Sequence, residues 1–427
     1  MIMVFELFEL LELRGDKNRY GLPVFIMLTL KHGKSMGGLF MKELSKKTEA
    51  FTESVIREMT RVSKFYGGHN LSQGFPDFGS PDILKEAAKR AIDEELNQYP
   101  ITFGEKRLRE AITIKEKEYN GIVCDPETEI TVTCGASEAM ISTMMAIVNP
   151  GDEIIVFEPF YENYGPDGIL SGATPRYVRL KPPAWSYDEE DLENAFNEKT
   201  KAIIINTPNN PTGKVFSKDE LQKIADLCMK WDVYAITDEI YEHILFDGER
   251  HISIASLPGM ENRTVTINSI SKTYSVTGWR VGWAIANERL TSQIRKVHDF
   301  FTVGAPTPFQ HASVAALNLD ESYYMGLQEH YTQARNYLFE TLENSKFKPY
   351  RPKGAYYIIA DCEDLMKEYG TRDNYEFCIE LIKRTGVAVV PGTSFYSKKE
   401  HGLHQVRFCF SKKWETLENV RKAFKDL

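Results

Sequence analysis

The sequence predicts an α/β fold, with a large domain on a mostly parallel central sheet and a smaller, discontinuous α+β domain. Three observations predict it. From about residue 128 short apolar runs alternate with helical patterns. Those runs are continuous, as in strands covered on both faces. The last third then changes character, with runs such as Gln405-Val406-Arg407-Phe408-Cys409-Phe410 in which a charge interrupts the apolar residues.

Taken in order, residues 1–40 stand apart. Positions 1–13 are apolar but carry Glu6, Glu9 and Glu12, the wrong charge for a secretory leader. The apolar run at 21–30 is too short to span a bilayer, and no later run approaches that length. Met36 and Met41 both precede a helical opening at 42–66. The expectation is an extension outside the domain, with a mis-called translation start. Residues 41–85 are expected to pack with the small domain, 86–305 to form the large domain, and 306–427 the small one. Ser80 and Pro81 read as N-cap and first residue of a helix reaching about Glu95.

Strands are expected at 129–134, 153–157, 201–206, 233–237 and 264–268. A helix follows the first at 137–148, and Asn149 to Asp152 form a turn. Ser217 with Glu220 is a capping box that opens a helix to Trp231. Further strands are expected at 354–362, 387–390 and 405–410, with helices at 374–385 and 414–424.

The bulk properties narrow the function. The chain has 427 residues and is 42% hydrophobic and 26% charged, as soluble globular proteins are. A net charge of −9 argues against nucleic acid as the partner, because phosphate backbones need a basic footprint. Six scattered cysteines without metal-ligand spacing read as reduced thiols in the cytoplasm. Neither a dinucleotide-binding G-x-G-x-x-G nor a P-loop occurs where it would be needed.

The chemistry is expected where the strands end, since open α/β sheets bind ligands beyond their carboxyl edge. Gly135-Ala136-Ser137 joins a strand to a helix and offers free N–H groups, a seat for phosphate or simply a capped turn. Tyr161 follows the second strand. Asn209-Asn210-Pro211-Thr212-Gly213 follows the third and also reads as a plain turn. Asp238 ends an apolar run where a carboxylate needs a partner, either a structural one or a cationic ring nitrogen. Tyr241 lies three residues on. Ser269-Ile270-Ser271-Lys272 follows the fifth strand, with Gly278-Trp279-Arg280 close behind. Most lysines are solvated surface charges. A nucleophilic one needs a pKa lowered from about 10.4 or conversion to an imine. Arg407 is either a surface alternate or, if it faces the cleft, a fork for a substrate carboxylate.

Together these segments resemble the fold-type I, class I/II aminotransferases. The resemblance runs from about residue 45 to the C-terminus. It is carried, in order, by Gly74-Phe75-Pro76-Asp77-Phe78, Gly135-Ala136-Ser137-Glu138-Ala139, Glu158-Pro159-Phe160-Tyr161, the stretch from Asn206 to Gly213, Asp238-Glu239-Ile240-Tyr241, and Ser269 to Lys272 with Gly278-Trp279-Arg280. Residues 1–40 have no counterpart. The resemblance implies pyridoxal 5′-phosphate held as a Schiff base on Lys272, which also shuttles the substrate proton. It implies Asp238 at the pyridine nitrogen, Tyr241 and Asn210 at the ring hydroxyl, and Tyr161 stacked on the ring. Ala136, Ser137, Ser269 and Arg280 would hold the phosphate, with Tyr99 reaching it from the neighbouring subunit of a homodimer. Arg407, beside the Gly74 backbone, would clamp the α-carboxylate.

The implied reaction is a ping-pong transfer of an amino group from an L-amino acid to a 2-oxo acid such as 2-oxoglutarate. Leu71 to Phe78 and Thr102 to Ile112 resemble the branch with kynurenine aminotransferase and glutamine transaminase K, which accept aromatic, glutamine or methionine side chains. The wider branch holds aspartate and aromatic aminotransferases, and the sequence identifies no distal arginine for a second carboxylate. The alternatives are a C–S β-lyase on the same fold and, more remotely, a non-catalytic regulatory or binding protein. Neither a metal nor a membrane is expected.

Overall fold

The computed structural model describes residues 42–427. The expected extension at 1–40 lies outside the described residues. The chain divides into two units, Met1–Ser45 and Lys46–Leu427. Of the first, only residues 42–45 are described, without regular structure. The second carries every helix and strand found among the described residues.

Thirteen strands are found among the described residues. They are β1 (His69–Asn70), β2 (Ile130–Thr133), β3 (Glu153–Glu158), β4 (Thr174–Arg179), β5 (Thr200–Asn206), β6 (Tyr234–Asp238), β7 (Thr264–Ser269), β8 (Gly282–Ile285), β9 (Lys348–Pro349), β10 (Tyr357–Asp361), β11 (Val387–Ala388), β12 (Val390–Pro391) and β13 (Gln405–Cys409). Seven of these form one sheet in the order β2-β8-β7-β6-β5-β3-β4. β3 to β7 pair in parallel among themselves, and β8 runs antiparallel to both β2 and β7.

The apolar runs are continuous because both faces are covered. Ile155, Phe157, Ile203 and Ile205 pack to one side with Leu221 and Ile224 of helix Lys218–Trp231. Their neighbours Ile154, Val156, Ala202 and Ile204 pack to the other with Met140 and Met144 of helix Ala136–Ile147. Successive strand residues point to opposite faces, so a two-sided core leaves no polar alternate. Ser217 and Glu220 form the expected reciprocal cap.

Two strands of this sheet lack a sequence signal. β4 is an edge strand, Thr-Pro-Arg-Tyr-Val-Arg, mostly facing out, where a proline is tolerated. β8 has four residues, too few to show a period. The expected helix from Ser80-Pro81 begins at Asp82, with Pro81 in the N-cap place and no side-chain cap, because Pro81 keeps a non-helical ψ of 136°.

In the last third β12-β13-β10-β9 form an antiparallel sheet. The single strand expected at 387–390 divides into two. β11 pairs in parallel with β1, whereas β12 pairs with β13. The β1–β11 pairing joins a segment preceding the large sheet to the end of the chain, which makes the small domain discontinuous. No helix among the described residues is long and apolar enough to cross a membrane.

Candidate active site

The carboxyl ends of β2, β5, β6 and β7 open onto one cavity, and the small-domain strand β13 supplies another wall. At the end of β2 the chain turns through Gly135, with φ of 81°, into helix Ala136–Ile147, whose N-terminus has no side-chain cap. A Cβ at Gly135 would lie 2.3 Å from Arg280 Nη2, so only glycine lets the guanidinium approach. That guanidinium donates to the carbonyls of Thr277 (3.0 Å) and Cys134 (3.1 Å). The N–H groups at this helix start, Ser137, Ser269, Ser271 and the Arg280 cation line the same end of the site, a donor set that suits a phosphate.

The next wall carries the ionisable pair. Asp238, the last residue of β6, is 5% exposed. Its carboxylate accepts from the Tyr164 hydroxyl (2.7 Å) and the Ile240 N–H (3.4 Å). Burial raises its pKa to about 6 against those two hydrogen bonds. Asn206 at the end of β5 braces it, donating to the Asp238 carbonyl at 2.9 Å and accepting from the Asn210 N–H at 2.7 Å. A buried carboxylate with two neutral partners inside a cavity suits a cationic ring nitrogen. Lys272 is half-buried, donates to the Gly74 carbonyl at 3.0 Å, and is lowered by desolvation to about 8. An amine so shifted is available as a nucleophile near neutral pH. These groups fit pyridoxal phosphate at both its anionic and its cationic ends.

The remaining walls are aromatic and basic. Tyr241, 1% exposed, exchanges a hydrogen bond with Tyr357 between hydroxyls 2.9 Å apart. Tyr357 also fixes Gly74, where a Cβ would fall 1.7 Å from its hydroxyl. Half-buried Tyr161 stands edge-on to Tyr164 at 5.7 Å. Arg407 is wholly buried, donates to Asn210 Oδ1 at 2.7 Å and to the Ser72 carbonyl, and lies over the Tyr357 ring at 4.3 Å. Its Nε has no hydrogen-bond partner. The cleft-facing alternative for Arg407 is therefore the one observed.

Gly74, Ala136, Ser137, Tyr161, Asn210, Asp238, Tyr241, Ser269, Lys272, Arg280 and Arg407 all line this one cavity. Tyr99 does not, and is 85% exposed on the surface of the single chain. The cavity also holds groups that sequence reasoning missed: Tyr164, Asn206, Tyr357, Arg57 and Asp167, the last pushed by burial to about 7. Tyr164 was within reach, since it lies three residues beyond Tyr161 and so on the same side of a helical turn. Tyr357 carried no signal that set it apart from the core tyrosine before it.

Residues 67–424 match the family model for aminotransferase class I and II. The chain is 36% identical to kynurenine–oxoglutarate transaminase 1 of Homo sapiens, over 84% of this chain and 92% of that one. The solved structure of N-succinyldiaminopimelate aminotransferase from Mycobacterium tuberculosis is similar at a TM-score of 0.86 and 34% identity, over 90% of this chain and 99% of that one. An Escherichia coli protein whose structure and reactivity identified a methionine aminotransferase function gives a TM-score of 0.85 at 32% identity, over 91% and 100%. With its strand ends gathering a phosphate seat, a buried carboxylate and a lysine of lowered pKa, this chain belongs to the class I and II aminotransferases, and is a pyridoxal-phosphate-dependent transaminase.

Proposed function

We propose that this transaminase takes the α-amino group of an L-amino acid with an aromatic, glutamine, methionine or aspartate-type side chain and delivers it by a ping-pong route to a 2-oxo acid, foremost 2-oxoglutarate. The observation that carries the reading is Lys272 and Asp238 facing one cavity with the buried fork of Arg407. The similar proteins named for kynurenine and methionine support the donor range.

Bound pyridoxal phosphate supplies a cationic conjugated ring that accepts the electron pair left when the substrate Cα loses its proton. The chain does the rest. Arg407 takes the α-carboxylate through its two terminal nitrogens, exchanging the Asn210 and Ser72 oxygens for substrate oxygens. Lys272 Nζ, with its pKa lowered to about 8, would hold the cofactor and would carry the proton to and from the substrate Cα. Asp238 keeps the ring nitrogen protonated, with Tyr164 and Asn206 fixing its orientation. Tyr241 and Asn210 serve the ring hydroxyl, Tyr161 the ring face, and Ala136, Ser137, Ser269 and Arg280 the phosphate.

Tyr99 is assigned to the partner of a homodimer. Segments 98–102 and 298–307 are tied together by Thr307 to Gln98 (2.6 Å) and His298 to Thr102 (2.6 Å). They expose Tyr99, Ile101, Phe300 and Phe301, large apolar side chains of the kind subunits cover. Six unpaired cysteines support a reducing, cytoplasmic setting. For the domain limits, a boundary between 85 and 86 would cut helix Asp82–Asp93, and helix Thr307–Leu317 packs on it. Both helices are assigned to the large domain, with residues 46–81 and 318–427 given to the small one.

A panel of amino donors against 2-oxo acids tests the substrate reading, with pyruvate release from a cysteine conjugate measured alongside. Transfer that depends on a 2-oxo acid supports it. Pyruvate release without transfer moves the chain to the β-lyase reading.

A further inference from the structure

His298, near the end of helix Glu288–Thr302, is wholly buried and lies outside the cavity lining. Each of its ring nitrogens faces an acceptor. Nδ1 lies 2.6 Å from Glu138 Oε1, and Nε2 lies 2.6 Å from the Thr102 carbonyl oxygen. A neutral imidazole has one N–H and could serve only one of them. The Thr302 hydroxyl does not supply the missing proton to the ring, because it donates to the same Glu138 oxygen at 2.8 Å. His298 is therefore an imidazolium. Burial opposes that charge, but Glu138 prevails and holds the ring above its ordinary 6.5. The Glu138 carboxylate belongs to the frame of the phosphate seat. It directly follows Ser137, and its Oε2 accepts from the Cys134 N–H at 2.5 Å, closing the turn through Gly135. The carbonyl of the same cysteine accepts from Arg280 at 3.1 Å. A carboxylate thus stands in the first helical turn, where its charge competes with that of a bound phosphate. His298 compensates it. Arg295, one turn back, is spent on the carbonyls of Glu127 (2.9 Å) and Ile130 (2.7 Å), while Asp299 adds negative field. Burial pushes the Cys134 thiol up, so it stays neutral near pH 7.

We propose that protonated His298 is a positioning residue for the cofactor's phosphate: it neutralises Glu138, so that the helix start accepts a dianion, and through Thr102 it fixes segment 98–102 to the same frame. The inference rests on the phosphate assignment made above and deepens it. One proton held outside the cavity then governs how firmly the phosphate is kept. Because the cation is the state that helps, the hold is complete near neutral pH and weakens as pH rises through the His298 titration. The pyridine end of the cofactor, which Asp238 serves, is untouched by this proton.

The test measures equilibrium binding of pyridoxamine 5′-phosphate and of pyridoxamine to the full-length apoprotein. Neither carries an aldehyde for Lys272, and they differ only in the phosphate. In wild type the advantage of the phosphorylated form should shrink by about 5- to 10-fold from about pH 7 to about pH 10, a range in which the phosphate stays dianionic. This profile needs no substitution and so does not depend on a variant that folds. His298→Gln should lose the same factor already at about pH 7 and show a flat profile. Combining it with Glu138→Gln removes the uncompensated carboxylate as well, and should recover most of the advantage. A wild-type advantage that does not change with pH would overturn the role of His298. So would equal losses for both ligands in His298→Gln, or a double variant no better than the single one. A wild type that binds both ligands equally at about pH 7 would instead overturn the phosphate seat itself.

Discussion

Two clusters of buried charge lie close together in this chain and are solved in opposite ways. Lys115 pairs with Glu116 at 3.0 Å and with Glu242, and Asn120 and Asn268 donate to the same carboxylates at 2.6 to 2.8 Å. Burial there works against every charge, yet the partners prevail for Lys115, which is raised, and for Glu242, which is lowered, and burial prevails only on Glu116, which is raised. The Lys272–Asp238 cavity goes the other way. Burial prevails on both groups and moves each toward its neutral form. A saturated cluster holds structure together, whereas an unsaturated one is waiting for charges from a ligand. Proximity in sequence hides this, since Glu242 directly follows Tyr241 and Asp238 lies only four residues before it.

The sharpest way to break the comparison is to remove the key cation of each cluster. Lys272→Ala should lower turnover by about 10³-fold or more and abolish the absorbance of lysine-bound cofactor, while the apoprotein unfolds at no lower temperature than wild type, because the substitution removes a desolvated amine. Undiminished transamination in this variant would remove Lys272 from the chemistry. Lys115→Met should show the reverse pattern. Two carboxylates are left buried without their cation, which destabilises by about 3–5 kcal/mol in urea titration. Activity per folded molecule should fall by less than about tenfold. If Lys115→Met instead proves neutral to stability, the saturated cluster is not structural.

Much of this was legible in the sequence, and the gaps have physical causes. The parallel sheet showed because Ile154-Ile155-Val156 and Ala202-Ile203-Ile204-Ile205 have no polar alternate to offer. β4 and β8 did not show, one being a solvated edge and the other four residues long. Asp238 and Lys272 stood out because a charge at the end of an apolar strand needs a reason. Arg407 stayed ambiguous, since alternation in a strand does not say which face looks into a cleft. Tyr164, Tyr357 and Arg57 reach the cavity only through tertiary packing, from a helix, a small-domain strand and the N-terminal segment. The role of Tyr99 depends on a second chain.

Asp238→Asn sharpens the comparison through pH. The folded carboxylate is raised to about 6 from an ordinary value of 3.8. The native apoprotein therefore holds the extra proton between those values, and stability falls as pH rises through them. The lowered Lys272 has the opposite sign, so the stability it withholds below about pH 8 returns as pH climbs toward 10.5. Asp238→Asn should remove the acid-side slope and gain up to about 3 kcal/mol at pH 7 in the apoprotein, while holoenzyme turnover drops by about 10²-fold or more. A slope that survives the substitution belongs to another group, with Asp167 the first to test.

Tyr164→Phe asks for the smallest change and separates orientation from charge. The hydroxyl is the shorter of the two hydrogen bonds to the Asp238 carboxylate, and its loss leaves Oδ2 without that donor. Burial then acts with less opposition, and the Asp238 pKa rises further above about 6. A protonated Asp238 cannot hold a cationic ring nitrogen, so the effect should grow as pH falls. Cofactor affinity is expected to drop by about tenfold at pH 6 and by less at pH 8, measured by equilibrium binding to the apoprotein. An equal loss at both pH values would mean that Tyr164 only fills space beside the ring. A loss confined to the lower pH would place it, with Asp238, among the groups that keep the unsaturated cluster ready for its ligand.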